Sequence, residues 1–439
     1  MKSLRVFETP SLSHNVLFYH GKKMHNFSQN EMKPSIHPGL AAHGLPENGQ
    51  LSFSGDLMPY IHFFLKDEPS LLPRLNKDQW LKLFSILISH RIFPLAFWKI
   101  NSSTMEFVPP KQINYRMRIA FLRNSIRCFR IEKQLRELIE AFKDEGIRAL
   151  VLRGPGLAWS VYPNPALRPF DDLDLLVLPE QMIKARAVME KLGYKSLNKK
   201  FILSRDFYRE ENFIHDKKPA DHLLVDLHWE NWELYPFFRR NGNGIEELFE
   251  RAVRIESSPL SFETLHPVDS LIQSAIHLTV LHKQSMRLIW IYDIALLAAR
   301  LQGPTQWEEL KERSVAWLAR LAVETSLKMA HSWVGLRLPE RFEDFSDWPQ
   351  PTADEAMVWS HSIDGHWMRV LLKKCLSSPS GLLKIARSLF HLLFPHPDIM
   401  RYCYPASSNW LLCVSYVKRW HRWLVQLISN QASSSGRGR

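Results

Sequence analysis

The chain has 439 residues, 45% hydrophobic and 12% aromatic, which excludes a globally disordered protein and exceeds one ordinary core, so about two or three domains are expected. A formal net charge of +12 suits phosphate-rich partners or an anionic membrane surface, and equally a basic face that only keeps the protein soluble. Cys128, Cys375, Cys403 and Cys413 show no Cys-x-x-Cys spacing, which argues against a disulfide framework or zinc site and for buried or free thiols in a reducing compartment.

The first 25 residues lack a continuous apolar core and a small-residue cleavage site, so no signal peptide is expected. No apolar run reaches the roughly 18 residues of a membrane span. The longest candidate, Leu288 to Leu301, is interrupted by Asp293, and a cytoplasmic protein is expected. Residues 1–70 are rich in His, Asn, Ser, Pro and Gly and read as a loosely structured lead-in. Residues 71–146 read as a helical segment. Trp80, Leu81, Leu83, Phe84, Ile86 and Leu87 recur at helical spacing, and Pro94 should end or kink that helix. A long helix is expected from Ile113 to Glu145. Its apolar positions are Tyr115, Ile119, Leu122, Ile126, Phe129, Leu135, Leu138 and Phe142, and Gly146 caps it. Its arginines, Arg116, Arg118, Arg123, Arg127 and Arg130, read as a solvated face or as the lining of a triphosphate path.

Residues 147–260 carry the chemistry. Ala149-Leu150-Val151-Leu152 reads as a buried strand, and Arg153-Gly154-Pro155-Gly156 should turn the chain. A proline-punctuated loop leads to the strand Asp172-Leu173-Asp174-Leu175-Leu176-Val177-Leu178. Side chains of a strand alternate faces, so Asp172 and Asp174 share one, about 7 Å apart at their Cα atoms. Two such carboxylates suit a hard cation such as Mg²⁺. Pro179 to Gly193 is then a helix, Tyr194 to Asp221 a hairpin or meander with Phe201-Ile202-Leu203 and Phe207-Tyr208, and Leu223 to Trp229 another strand. There Leu224, Asp226 and His228 share a face; His228 reads as a partner of the carboxylate or as a packed histidine. This element order suits a small mixed sheet with helices on one face, an α+β fold.

Residues 261–428 are expected to be wholly helical from Pro267 onward. Asp293, among apolar neighbours, needs a partner such as Arg287, as a packing clasp or a nucleotide-pocket contact. His277 and His282 lack companions at zinc-site spacing. Beyond Met368, Lys and Arg recur against Asp398 alone, and a last helix, about Trp410 to Ile428, carries a wide apolar arc beside Arg419 and Arg422. That arc reads as peripheral contact with an anionic membrane or nucleic acid, or as a helix packed on its own domain. Residues 429–439 form a flexible tail.

Leu152-Arg153-Gly154, Tyr162-Pro163, Leu167-Arg168-Pro169, Asp172-Leu173-Asp174-Leu175-Leu176-Val177 and Asp226-Leu227-His228-Trp229 occur in this order. Together they resemble a bacterial family of uncharacterised nucleotidyltransferases within the DNA polymerase β-like superfamily. The resemblance runs over roughly Leu135 to Arg300. It implies a nucleotidyltransferase core, with Asp172, Asp174 and Asp226 as catalytic carboxylates and ligands of Mg²⁺ (or Mn²⁺). Gly154 is the glycine that approaches the phosphates. Two positions depart from the pattern. Pro155 replaces a Gly or Ser and lacks an N–H, which leaves donation to Gly156 or the grip to Arg153 and Arg168; Arg168 could equally pair with Asp171 or Asp172. Arg153 replaces a Lys, a substitution that is not neutral at a phosphate.

The implied activity is transfer of a nucleoside monophosphate from an NTP to a hydroxyl acceptor: a sugar, protein, RNA or small molecule. The other reading is a catalytically weak relative that binds nucleotide or acts as a scaffold on an anionic surface or nucleic acid.

Overall fold

Residues 55–66, 72–102, 109–197, 210–216, 223–229, 244–282, 285–342, 345–360, 394, 400, 413–418 and 420 are described in the computed structural model. All of them belong to the unit Leu45–Arg439. Helices α1 (Met58–Leu65), α2 (Lys77–Ser89), α3 (Phe93–Ser102) and α4 (Lys111–Asp144) precede the sheet. A reciprocal capping box starts α2: the Asn76 side chain accepts from Gln79 N–H at 3.0 Å and the Gln79 side chain from Asn76 N–H at 2.9 Å. Pro94 does not end this helix. The chain bends by 120° between α2 and α3, Arg91 takes a left-handed φ of 59°, and Pro94 stands in the first turn of α3. A missing N–H costs little there.

The long helix α4 forms as expected and closes at Gly146 (φ +67°). Its apolar positions do not form one arc. Ile113 and Met117 are buried in one core and Ile131, Leu135, Leu138 and Phe142 in another, whereas Tyr115, Leu122, Ile126 and Phe129 are exposed. At 1.5 Å per residue a 34-residue helix is about 50 Å long. It crosses from one core to the next; between them Phe121 still packs on the first and Cys128 on the second, and the exposed residues face neither.

Next come β1 (Ala149–Val151), α5 (Arg153–Ser160), a short turn of 3₁₀ helix (Pro165–Leu167), β2 (Asp172–Val177), α6 (Met182–Lys191), β3 (Tyr194–Ser196), β4 (Glu210–His215), β5 (Leu224–His228), α7 (Ile245–Glu250), β6 (Val253–Ser257) and β7 (Leu260–Thr264). The strands form one mixed sheet in the order β3-β4-β5-β2-β1-β7-β6. β1 runs antiparallel to β2 and parallel to β7, and β2 runs parallel to β5. β3 and β4 supply the hairpin expected after Tyr194; its two aromatic segments lie outside the described residues. β6 and β7 carry the sheet past residue 260 to Thr264. Their alternating burial is a half-buried strand pattern that was legible in Val253-Arg254-Ile255-Glu256 and Leu260-Ser261-Phe262-Glu263.

The segment after β1 is not a turn. Arg153-Gly154-Pro155-Gly156 is the first turn of α5, and Gly156 N–H donates to Leu152 C=O at 3.3 Å. Proline is tolerated in a first turn, whose N–H groups have no intrahelical acceptor. Gly156 serves packing: a Cβ there would lie 2.6 Å from the Val151 carbonyl oxygen and 2.9 Å from Thr264 Oγ1.

The two sheet faces pack differently. Leu173, Leu175, Val177, Val225, Leu227 and Phe213 face the core shared with the C-terminal half of α4 and with α6. Leu150, Leu152 and Leu176 belong to the other core, which contains α1–α3 and α8 (Pro267–Ile276), α9 (Leu288–Arg300), α10 (Gly303–Ala316) and α11 (Arg320–Val334). A π-helical turn, His277–Leu281, follows α8, and α12 (Ala353–Ser360) follows α11. Among the described residues no single helix is long and apolar enough to cross a membrane. The lead-in up to residue 54, the tail, and the expected helix 410–428 apart from 413–418 and 420 lie outside the described residues.

One buried clasp ties the loop before β2 to this helical array. Asp293 on α9 accepts from Arg168 through Nε (3.0 Å) and Nη2 (2.7 Å), and from the Tyr162 hydroxyl at 2.7 Å. Its partner is therefore Arg168 rather than Arg287, which stands over the Trp290 ring at 5.1 Å. Arg168, in turn, pairs with neither Asp171 nor Asp172. Burial pushes the Tyr162 hydroxyl well above its ordinary pKa and the Asp293 charge adds to this, so it stays a neutral donor.

Two stability predictions follow from this packing. Arg168→Met should cost about 3–5 kcal/mol in urea unfolding, because it leaves Asp293 buried and unpaired, and Arg168→Met with Asp293→Leu should recover most of that loss. Gly156→Ala should cost about 1–3 kcal/mol, since the atoms it meets include backbone. An unchanged unfolding midpoint in either single variant would contradict this description.

Candidate active site

In-register parallel pairing sets Asp172 opposite Leu224 and Asp174 opposite Asp226. Partners in a parallel ladder project to the same face at a strand spacing of about 4.8 Å. Asp172, Asp174, Asp226 and His228 therefore share the face opposite Leu173, Leu175, Val225 and Leu227. The sequence-predicted carboxylates are brought together at the centre of the sheet.

Asp174 is the most enclosed of them, 4% exposed. Its Oδ1 accepts from Arg153 Nη2 at 2.5 Å and lies 2.9 Å from His228 Nε2. Burial alone would raise its pKa; the Arg153 guanidinium and the His228 contact outweigh that and hold it at about 2. Burial opposes charge on His228, but the hydrogen bond and charge of Asp174 raise its pKa, with Glu210 adding to the effect. Asp172 is raised, first by burial and then by the charge of Asp174. Asp226 is pushed up to about 6, chiefly by burial, against the opposing hydrogen bond from Asn212 Nδ2. One face thus presents a firmly ionised carboxylate beside two more basic ones.

The start of α5 aims Arg153 at this face. Leu152 N–H donates to the Asp174 carbonyl at 2.9 Å, which sets the helix start against β2. Arg153 then adopts a left-handed φ of 39°, uncommon for a residue with a side chain. Its Nη1 lies 3.2 Å from His277 Nδ1. His277 stands at the start of the π-helical turn, a device frequent at functional sites. The His277 ring packs with His282 (4.4 Å between centroids) and Trp290 (4.9 Å). Gly154 is buried, and a Cβ would meet Phe170 Cβ at 2.9 Å. Asp171 points away from the carboxylates and pairs with Arg91 and, at 3.6 Å, Arg127. Of the α4 arginines, Arg127 thus braces the loop that carries the Asp-x-Asp strand.

Sequence reasoning weighed His277 only as a zinc ligand and missed Asn212. The first sits on a helix far along the chain and the second on a neighbouring strand, so no local spacing marks either. Arg168 and Gly156, expected near phosphate, are engaged in the clasp and the helix. Among the described residues no group of three His, Cys, Asp or Glu side chains is set to hold a metal ion. The donor chemistry of Asp172, Asp174 and Asp226, all hard oxygens on one face, nevertheless suits Mg²⁺ or Mn²⁺.

Solved structures with some likeness include the antibiotic-resistance factor ANT(2'')-Ia. It is 13% identical, matched over 46% of this chain and 96% of its own, with a TM-score of 0.29. Another is an antigenic nucleotidyltransferase-like protein from Paracoccidioides brasiliensis, 13% identical over 47% of this chain and 93% of its own, with a TM-score of 0.30. No curated protein matches the sequence. Residues 76–335, more than half of the chain, match the profile of the uncharacterised nucleotidyltransferases, and the chain belongs to that family.

Proposed function

We propose that the protein transfers a nucleoside monophosphate from an NTP to a hydroxyl acceptor. The observation that carries this reading is the convergence of Asp172, Asp174 and Asp226 on one sheet face within a nucleotidyltransferase family. The acceptor oxygen bonds to the α-phosphorus, the α–β phosphoanhydride bond breaks, pyrophosphate leaves, and the hydroxyl proton is removed. Asp172, Asp174 and Asp226 would hold Mg²⁺ or Mn²⁺, which supplies charge neutralisation for the attacking and leaving oxygens.

The chain's own groups divide the remaining work. Asp226, set beside Asp174 by the β2–β5 pairing, is suited to orient the acceptor hydroxyl and accept its proton at a carboxylate oxygen. Arg153 and Gly154 stand at the N-terminus of α5, the end of a helix whose polarity suits phosphate oxygens. Pro155 cannot donate to them. Arg168 is committed to Asp293, so the cationic contact to phosphate falls to Arg153.

Asp226→Asn keeps size and removes the charge. It should leave NTP affinity in the presence of Mg²⁺ within about threefold of the native value and lower single-turnover transfer by about a hundredfold or more, the pattern of a contact made in the transition state. Nucleotide titration and single-turnover transfer on the same variant check this. Equal losses in both would place Asp226 in nucleotide binding, and no loss in either would remove it from the site.

A further inference from the structure

Arg153 and Asp174 form a contact that the transfer reaction does not require. The carboxylate most central to the site already carries a cation: Arg153 Nη2 lies 2.5 Å from its Oδ1, with the two side chains 14% and 6% exposed. His228 Nε2 reaches the same oxygen at 2.9 Å. A divalent ion entering here meets a carboxylate whose charge is shared by two donors. The guanidinium is held by a backbone that an L-residue seldom adopts, φ 39° at Arg153. Such a conformation persists where surrounding contacts enforce it. Here these are the Leu152–Asp174 backbone hydrogen bond and the His277 contact at 3.2 Å. A small cleft lined by Arg153, Leu157, Arg168, Ser274, His277, Trp290 and Asp293 lies beside it.

Building on the nucleotidyl-transfer reading, we infer that Arg153 is a resident counter-cation of Asp174. A divalent ion must compete with its guanidinium for that carboxylate, and the guanidinium leaves Asp174 when an anionic phosphate arrives to pair with it. The inference rests on geometry: one oxygen, two donors, and a side chain aimed by its backbone. Its consequence is order. The site holds divalent ions weakly by itself, and nucleotide and ion enter together, because the phosphates supply the new partner for Arg153.

The test uses the full chain and Mn²⁺ alone, with free Mn²⁺ followed by its paramagnetic resonance signal. Arg153→Gly is the variant of choice, since glycine suits the left-handed φ; Arg153→Gln provides a second variant that keeps most of the stem. Each should bind Mn²⁺ at least about tenfold more tightly than the native chain, as expected when a neighbouring positive charge is removed. Adding Asp174→Asn to Arg153→Gly should abolish the gain. Equal or weaker Mn²⁺ binding in both single variants overturns the inference, as does a gain that survives Asp174→Asn. Transfer from α-labelled NTP by the native chain is measured in parallel. The Mn²⁺ gain without any transfer supports the role of Arg153 and counts against the transfer reading, whereas transfer without the gain removes the role of Arg153 alone.

Discussion

Parallel, in-register pairing of β2 with β5 is the constraint on which the rest depends. Side chains on paired parallel strands project together, so Asp174 and Asp226 lie side by side once Leu175 meets Leu227 and Leu173 meets Val225. Those four apolar residues, together with Val177 and Phe213, are buried against α4 and α6. A one-residue slip would bury the carboxylates and expose the apolar set, so the hydrophobic core fixes the chemical face. Carboxylates this close repel one another. The site accommodates them by ionising Asp174 firmly against Arg153 and His228 while raising the pKa of Asp172 and Asp226.

The surrounding polar contacts hold that sheet against the helices. The Arg168–Asp293–Tyr162 clasp fixes the loop before β2 to α9, and Arg91 and Arg127 hold Asp171, the residue directly before the strand. Breaking a buried pair by removing one member is far more costly than replacing both with apolar groups. The clasp is therefore best understood as positioning the Asp-x-Asp strand and its loop rather than as a store of stability. β7, parallel to β1, extends the sheet beside α5, and Gly156 lets the helix lie against Val151 and Thr264.

Much of this was legible in the sequence because it is encoded locally. Alternation in Asp172–Val177 and Leu224–His228 gives both strands and the common face of Asp172 and Asp174, the family resemblance adds Asp226 to them, and the apolar spacing of 113–145 gives the long helix. What was not legible depends on contacts between distant segments. Arg168 carried two readings, phosphate and loop pairing, and Asp293 lies 125 residues further on. Gly156 looked like a phosphate-loop glycine because steric need for a missing Cβ leaves no local mark different from a need for unusual backbone angles. The exposed Tyr115, Ile126 and Phe129 were counted as core because a 34-residue helix can serve two cores without one continuous arc. β6 and β7 show the alternation of half-buried strands, but nothing local says that β7 joins the sheet beside β1.

Arg153 and the three carboxylates make the central claim a chemical one, that a nucleoside monophosphate moves with its α-phosphorus. The most direct measurement incubates the native chain and cell extract with an NTP labelled at the α-phosphate and, separately, at the γ-phosphate, with Mg²⁺ present. The account predicts an acceptor that gains the α-label and never the γ-label, with pyrophosphate released in equal amount. Transfer of the γ-label, or release of orthophosphate without a labelled acceptor, would contradict it.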